Sequence, residues 1–424
     1  MTSPTIALEG TADIDLLDPY RFVREEHHAM FARLRAEDPV HWHPDTHGRL
    51  GGVGFWNVVK HGDLVDVNRD TQLFSSEIGG TSIWDHHDDD GTADTRGVMM
   101  LNMDPPKHTR YRLLVNKGFT PRMIGLLEQY LRHRSTLIVD HVIERGEADF
   151  VADIASELPL QAIAEIMGVP QEDRRLMFEW SNRLIGADDP EYASGDTRDT
   201  VTELYLYVNE LASKRRNDPR DDIVTKLLNA EIDGDRLSEL EFDMFMLLLT
   251  VAGNETTRNA TAHGMYALLQ HPEQLDALRN DVDGLMPTAV DEILRWASPV
   301  LHFRRTATAD TEIRGREIRQ GDKVVIWHVS ANRDEEVFDD PFTFDITRSP
   351  NPHVAFGGGG PHYCLGANLA RMELRLVLAE LLTRIPDLQL AGEPERLVSN
   401  FIGGIKHLPV TWTPGKRVEP ASPD

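Results

Sequence analysis

The feature that most constrains this chain is a single helical pattern of about 32 residues, spanning 238–270, which at 1.5 Å per residue extends for about 48 Å. Ser238 and Glu241, three residues apart, form a capping box at its start, and Pro272 follows its end. Such a rod is long enough to cross the whole body of a 424-residue protein. Its middle, 244–251, is apolar on nearly all faces, so the helix is expected in the interior and not on the surface.

A second helix is expected over 287–296, with Pro287 at its first turn, where a missing N–H costs nothing. Residues 300–307 and 323–329 read as short strands, and 401–412 as a hairpin turning at Gly403-Gly404. The fold class is therefore mainly α with small β-sheets. No repeat or long flexible linker divides the chain. One domain over 1–424 is expected, with a core of about 19–412 and loose tails at 1–18 and 413–424.

Charge narrows the partners. With 44 basic and 70 acidic residues the net charge is −26, a field that repels nucleic acid and anionic membrane surfaces. The start of the chain has no signal-peptide pattern, and no apolar run is long enough to cross a bilayer. A cytoplasmic protein without a membrane anchor is expected. The sole cysteine, Cys364, excludes an internal disulfide and any multi-cysteine metal cluster.

Cys364 ends the run Phe356-Gly-Gly-Gly-Gly-Pro-His-Tyr-Cys364-Leu-Gly366, ahead of a helical pattern carrying Arg371 and Arg375. Clustered glycines let a backbone approach a flat cofactor, and N–H groups aimed at the sulfur, with a helix N-terminus nearby, favour thiolate. The alternative is an inert buried cysteine. Within the long helix, Ala252-Gly253-Asn254-Glu255-Thr256-Thr257 places glycine and two β-branched residues where a helix disfavours them. A threonine hydroxyl bonding back to the preceding turn leaves a polar notch beside an acid, able to take O2 and water. Equally, Gly253 serves only close packing and Glu255 pairs with a local base. Glu292 and Arg295 share a helix face, as do His108 and Arg112. Arg305 and His362 complete four donors able to neutralise two haem propionates, although each alone also reads as a solvated surface residue.

In this combination and order, together with the Asn332-Arg333-Asp334 turn, these motifs resemble the cytochrome P-450 haem-thiolate monooxygenases over nearly the whole chain. The resemblance implies the family's helix-rich triangular prism, enclosing haem b between the long helix and the cysteine loop. It implies Cys364 as axial iron ligand, with His108, Arg112, Arg305 and His362 on the propionates. Glu255 and Thr256 deliver protons to oxygen, and Glu292 and Arg295 are structural. The family's usual phenylalanine stands seven residues before the cysteine; Phe356 stands eight before, as in similar actinobacterial members that oxidise sterols and branched lipids.

The activity implied is insertion of one oxygen atom from O2, the co-substrate, into a hydrophobic small molecule of sterol, terpenoid or lipid type. Val98, Met100, Ala252, Val300, Leu301, Phe401 and Ile402 are the expected substrate-pocket positions. Gly357 to Gly360 match no dinucleotide or phosphate loop, and only 60 residues follow Cys364. Electrons from NAD(P)H are therefore expected indirectly, through a separate ferredoxin and ferredoxin reductase docking a monomer near Arg110, Arg371 and Arg375. Two rivals remain. One is a peroxide-using or non-turnover haem protein. The other is a metal-binding interaction module built on His41, His43 and His47 or on Asp85-His86-His87-Asp88-Asp89-Asp90.

Overall fold

The long helix forms as Glu239–Gln270, 32 residues, in the computed structural model, which describes residues 10–46, 48–85, 94–116, 121–186, 188–193, 197–231, 234 and 236–418. Ser238 caps it as the sequence indicates: its side chain accepts from Glu241 N, while the Glu241 carboxylate accepts from Ser238 N at 2.9 Å. Burial of its apolar faces then fixes it as the axis of the molecule. It packs against helices Glu157–Met167, Arg174–Ile185, Val282–Ala297 and Ala367–Arg384. Two hydrophobic clusters meet along it. One joins its C-terminal half to Val282–Ala297 and Ala367–Arg384, and the other joins its N-terminal half to Glu157–Met167 and Thr197–Asn217.

Glycine permits the closest approaches. A Cβ on Gly253 would lie 2.2 Å from Ile163 Cδ1, and one on Gly264 would lie 2.6 Å from Ile293 Cγ2. Both would force neighbouring helices apart.

The second helix begins earlier than its proline suggests. It spans Val282–Ala297, with Asp281 as the capping residue accepting from Gly284 N, and Pro287 lies inside it. The stronger start signal was the aspartate cap, which satisfies an orphan donor; proline lacks one to satisfy.

A five-stranded sheet stands beside the helical body in the order Val40–His43, Phe55–Val58, Lys323–Trp327, His302–Ala307, Phe74–Ser75. Phe55–Val58 runs parallel to Lys323–Trp327 and the other pairs are antiparallel. The expected strand at 323–329 ends two residues early because His328–Ala331 turns into a short helix.

The expected hairpin at Gly403-Gly404 does not form. Ile405–His407 pairs with Glu395–Arg396, and Pro409–Thr411 pairs with Glu147–Asp149 and Gln389–Leu390. Neither glycine has positive φ. They serve close approach instead, since a Cβ on Gly403 would lie 3.1 Å from Leu301 Cδ2 and one on Gly404 3.0 Å from Leu397 Cβ. About half the chain is helical, and among the described residues no helix is long and apolar enough to cross a membrane.

Candidate active site

The cysteine loop is a left-handed coil that only glycine adopts freely. Gly357, Gly358, Gly359 and Gly360 have φ of 98°, 68°, 104° and 78°, so all four glycines share a positive-φ backbone. The loop closes through Cys364 N–H donating to Phe356 O at 3.1 Å. The Phe356 ring packs 4.6 Å from the Arg371 guanidinium. Asn68, which the sequence did not single out, fastens the loop: its Nδ2 donates to Gly357 O and, at 3.1 Å, to Gly359 O. Its Oδ1 accepts from Arg305 Nη2 at 2.6 Å.

Cys364 is accessible at the surface of this packed region. Burial among protein atoms nevertheless pushes its thiol pKa up, against opposing contributions from the Gly366 N–H, Arg112 and Arg371. The Gly366 N–H, Arg112 and Arg371 thus act in the direction the sequence suggests, toward thiolate, while desolvation acts against them.

The four expected anion-binding side chains converge. The His108 and His362 rings lie 4.2 Å apart, and Arg112 donates to Pro361 O at 2.9 Å and Tyr363 O at 2.5 Å. Arg305 is 2% exposed and has no carboxylate partner; burial lowers its pKa to about 10. Burial, reinforced by Arg112 and Arg305, lowers His108 to about 4, and burial with Arg305, His108 and Arg112 lowers His362 to about 2. His108 Nδ1, His362 Nε2 and Arg305 Nε are buried without hydrogen-bond partners. Buried donors left open around uncompensated guanidinium charge call for an anion. The set fits the carboxylates of a haem beside the single soft sulfur ligand.

On the central helix, Ala252 is exposed and Leu248, Val251, Gly253 and Thr256 are partly so, while their other neighbours are buried. Spaced i,i+4, Leu248, Ala252 and Thr256 form one accessible stripe. Thr256 Oγ1 donates to Ala252 O at 2.8 Å, the bond back to the preceding turn that the motif suggests, yet the helix continues unbroken. Glu255 is 1% exposed and turns elsewhere. Its carboxylate accepts from Ser181 Oγ at 3.0 Å and is paired with Arg258, whose Nη1 donates to Asn182 Oδ1 at 2.8 Å. No hydrogen bond joins the side chains of Glu255 and Thr256. The local base is thus Arg258, i,i+3 from the acid, and both packing by Gly253 and local pairing of Glu255 hold in the structure.

The expected pocket residues form two groups. Leu301 N donates to Phe401 O at 2.9 Å and Val300 bridges to Ile402, joining those four. Met100 belongs to the hydrophobic cluster that contains the N-terminal half of the central helix, and Val98 packs against that cluster. Glu292 and Arg295 are both fully buried, bonded through two contacts of 2.7 Å, so this is no surface pair. Arg295 also donates to Asn332 O and Pro341 O at 2.8 and 2.9 Å, tying the helix to that turn. Of the expected basic face, Arg371 pairs with Asp291 and Arg375 with Glu128, each at 2.8 Å, while Arg110 is exposed.

Among the described residues, the members of the expected metal module do not form a ligand group. His41 bonds to Asp38 at 2.9 Å, His43 accepts from Leu16 N at 3.2 Å, and Asp85 pairs with Arg304 and Lys323. His47 and residues 86–90 lie outside the described residues. Among those described, the one group spaced to hold a metal is Glu191, Glu395 and His407.

Comparison with known proteins agrees with this geometry. The cytochrome P450 family model matches residues 160–386. The chain is 46% identical over 405 residues to a steroid C26-monooxygenase of Mycolicibacterium smegmatis, covering 95% of this chain and 94% of that protein. It is 44% identical over 411 residues to a methyl-branched lipid omega-hydroxylase of Mycobacterium tuberculosis, covering 95% of each. A Mycobacterium marinum cytochrome P450 solved in complex with pseudoionone superposes with a TM-score of 0.89 at 39% identity, covering 96% of this chain and 100% of that one. A buried rod, a glycine-coiled cysteine and an unfilled set of anion donors thus find their common explanation: the chain belongs to the cytochrome P450 family, and it is a monooxygenase that uses haem iron and O2.

Proposed function

We propose that this enzyme hydroxylates the methyl end of a branched aliphatic chain carried by a sterol or methyl-branched lipid, with Cys364 as axial ligand of the haem iron. The observation that carries the site assignment is the cysteine loop itself. One accessible sulfur stands on a backbone that four left-handed glycines fix, beside His108, Arg112, Arg305 and His362, among which three buried nitrogens lack partners. The substrate class is supported by the two relatives, one named for steroid carbon 26 and the other for the omega end of a methyl-branched lipid. Their common chemistry is an apolar chain ending in a branch, which suits the apolar walls contributed by Val98, Met100, Val300, Leu301, Phe401 and Ile402.

When bound, haem iron supplies the activation of O2 and the insertion of one oxygen atom. This chain's residues do the rest. Arg305 Nε, His108 Nδ1 and His362 Nε2 are free to donate to carboxylate oxygens, and Arg112 braces the loop through its two carbonyl bonds. Ala252 keeps the accessible stripe open by its small size. Thr256 Oγ1 hands a proton forward only by turning from Ala252 O. Glu255 resupplies it once its carboxylate leaves Arg258 and Ser181 and takes up a proton from water, so the acid is held out of reach until the site requires it. Glu292 and Arg295 hold the core behind the site.

The electron donors are a separate ferredoxin and its reductase, drawing on NAD(P)H, and the enzyme works as a cytoplasmic monomer. Arg110, Arg371 and Arg375 are the candidate cations of the docking face. The test is product analysis under labelled O2 with a ferredoxin, its reductase and NADPH, using a side-chain-bearing sterone and a methyl-branched fatty acid. One labelled oxygen at the chain terminus is expected. Ring oxidation contradicts the substrate reading, and product formed only with peroxide contradicts the electron route.

A further inference from the structure

We propose that the molecule carries a second small-molecule site, a cavity behind the Leu301 and Ile402 wall that takes a monocarboxylate with an apolar body. The cavity has a volume of about 290 Å³ and is lined from the first helices, the last turns of the central helix, the end of Val282–Ala297 and the 396–404 segment. None of Cys364, His108, Arg112, Arg305, His362, Glu255 or Thr256 lines it, and of the expected substrate-pocket residues only Leu301 and Ile402 do, as a wall between the two. Its size is near that of small ligand pockets.

The argument for an anion rests on charge. Arg333 lines the cavity, is 2% exposed and has no carboxylate bonded to it. Its Nη atoms donate to Arg295 O and Trp296 O at 3.0 and 2.9 Å, and its Nε is buried without an acceptor. The nearby acid, Glu292, is already shared between Arg295 and Arg348. Arg396, also on the wall, is neutralised by Glu25 at 2.8 Å. Tyr266, His27, His28 and His263 add no charge: burial, reinforced by Arg396 and Arg333, holds His27 and His263 down to about 3, and burial with His27, Arg333 and Arg396 lowers His28. The balance is one surplus positive charge, which a monoanion neutralises and a dianion oversteps.

The second unfilled atom at the cavity is His27 Nδ1, buried and without a partner. Beside polar Gln270 and Ser399 the wall carries an apolar and aromatic part, with Phe22, Trp296, Leu301, Phe342 and Ile402, which calls for a hydrocarbon or aromatic body behind the charged head. At the exposed edge, Glu25 has φ of 58°, a left-handed conformation that a glutamate rarely adopts, and it holds Arg396 from there.

The test uses the haem-loaded enzyme saturated with an iron-ligating azole, so that the substrate pocket is filled, and a ¹⁹F NMR titration with 4-fluorophenylacetate. Saturable binding is expected. Arg396→Gln removes a cation and weakens that binding about tenfold, whereas Glu25→Gln removes an anion and tightens it by a similar factor. The uncharged 4-fluorophenylacetamide responds to neither substitution. The opposite signs keep the test decisive should one variant fold poorly. Absence of saturable binding, displacement of the probe by the azole, or affinities of both variants within about twofold of the parent would overturn the proposal.

Discussion

Thr256 and Glu255 are neighbours in sequence with different surroundings. The hydroxyl belongs to the accessible stripe and bonds to Ala252 O, while the carboxylate is enclosed by Arg258 and Ser181. If the hydroxyl is the group that hands protons to oxygen, Thr256→Ala keeps its fold and NADPH consumption but lowers product formed per NADPH about tenfold, with peroxide in its place; unchanged coupling removes Thr256 from the role. Gly360 offers a residue-scale check on the loop. Its φ is 78°, and an added Cβ would lie 2.8 Å from the backbone oxygen of Asn68. Gly360→Ala is expected to destabilise the loop by about 2 kcal/mol and to lower haem retention, measured as the ratio of haem to protein absorbance. Cys364, His108, Arg112, Arg305 and His362 could be picked out from sequence because each is a distinctive residue type in a recognisable order. Asn68 could not, since an asparagine in a helix has no signature until Arg305 and the glycine carbonyls meet it in space.

The central helix was legible because its signals are local. A capping box, an apolar run and a following proline act within a few residues, and the structure reproduces all three. Ser238→Ala removes the side chain that accepts from Glu241 N and is expected to cost about 1 kcal/mol in a urea melt without changing the haem spectrum. The start of Val282–Ala297 and the supposed hairpin were misread for one reason. A proline or a glycine pair has several uses, and partners distant in sequence select among them. Gly403 and Gly404 accommodate Leu301 and Leu397, contacts that no local pattern encodes. The mixed sheet was illegible in the same way, for Phe55–Val58 finds its parallel neighbour at Lys323–Trp327, where Trp56 pairs with Val324, 268 residues away.

Across the whole molecule, buried histidines are one internal source of pH sensitivity. Burial lowers the pKa of His302 and His328 from 6.5 to about 3, and that of His27 and His263 to about 3 with help from nearby arginines. Between these values the unfolded chain binds protons that the folded chain refuses. Stability therefore rises with pH over this window, being complete above 6.5 and lost as pH falls toward 3. His302 sits against Trp327 and Phe401 with both ring nitrogens unpartnered. His302→Phe is expected to flatten the dependence of unfolding free energy on pH below 6.5, read from urea melts; an unchanged slope contradicts it. The account as a whole depends on a sulfur–iron bond at Cys364. Its most direct test is the absorption spectrum of the reduced, CO-bound protein beside that of Cys364→Ser loaded with equal haem. The parent is expected to show the long-wavelength Soret band of thiolate ligation and the variant to lose it together with turnover, whereas identical spectra and activities would contradict the account.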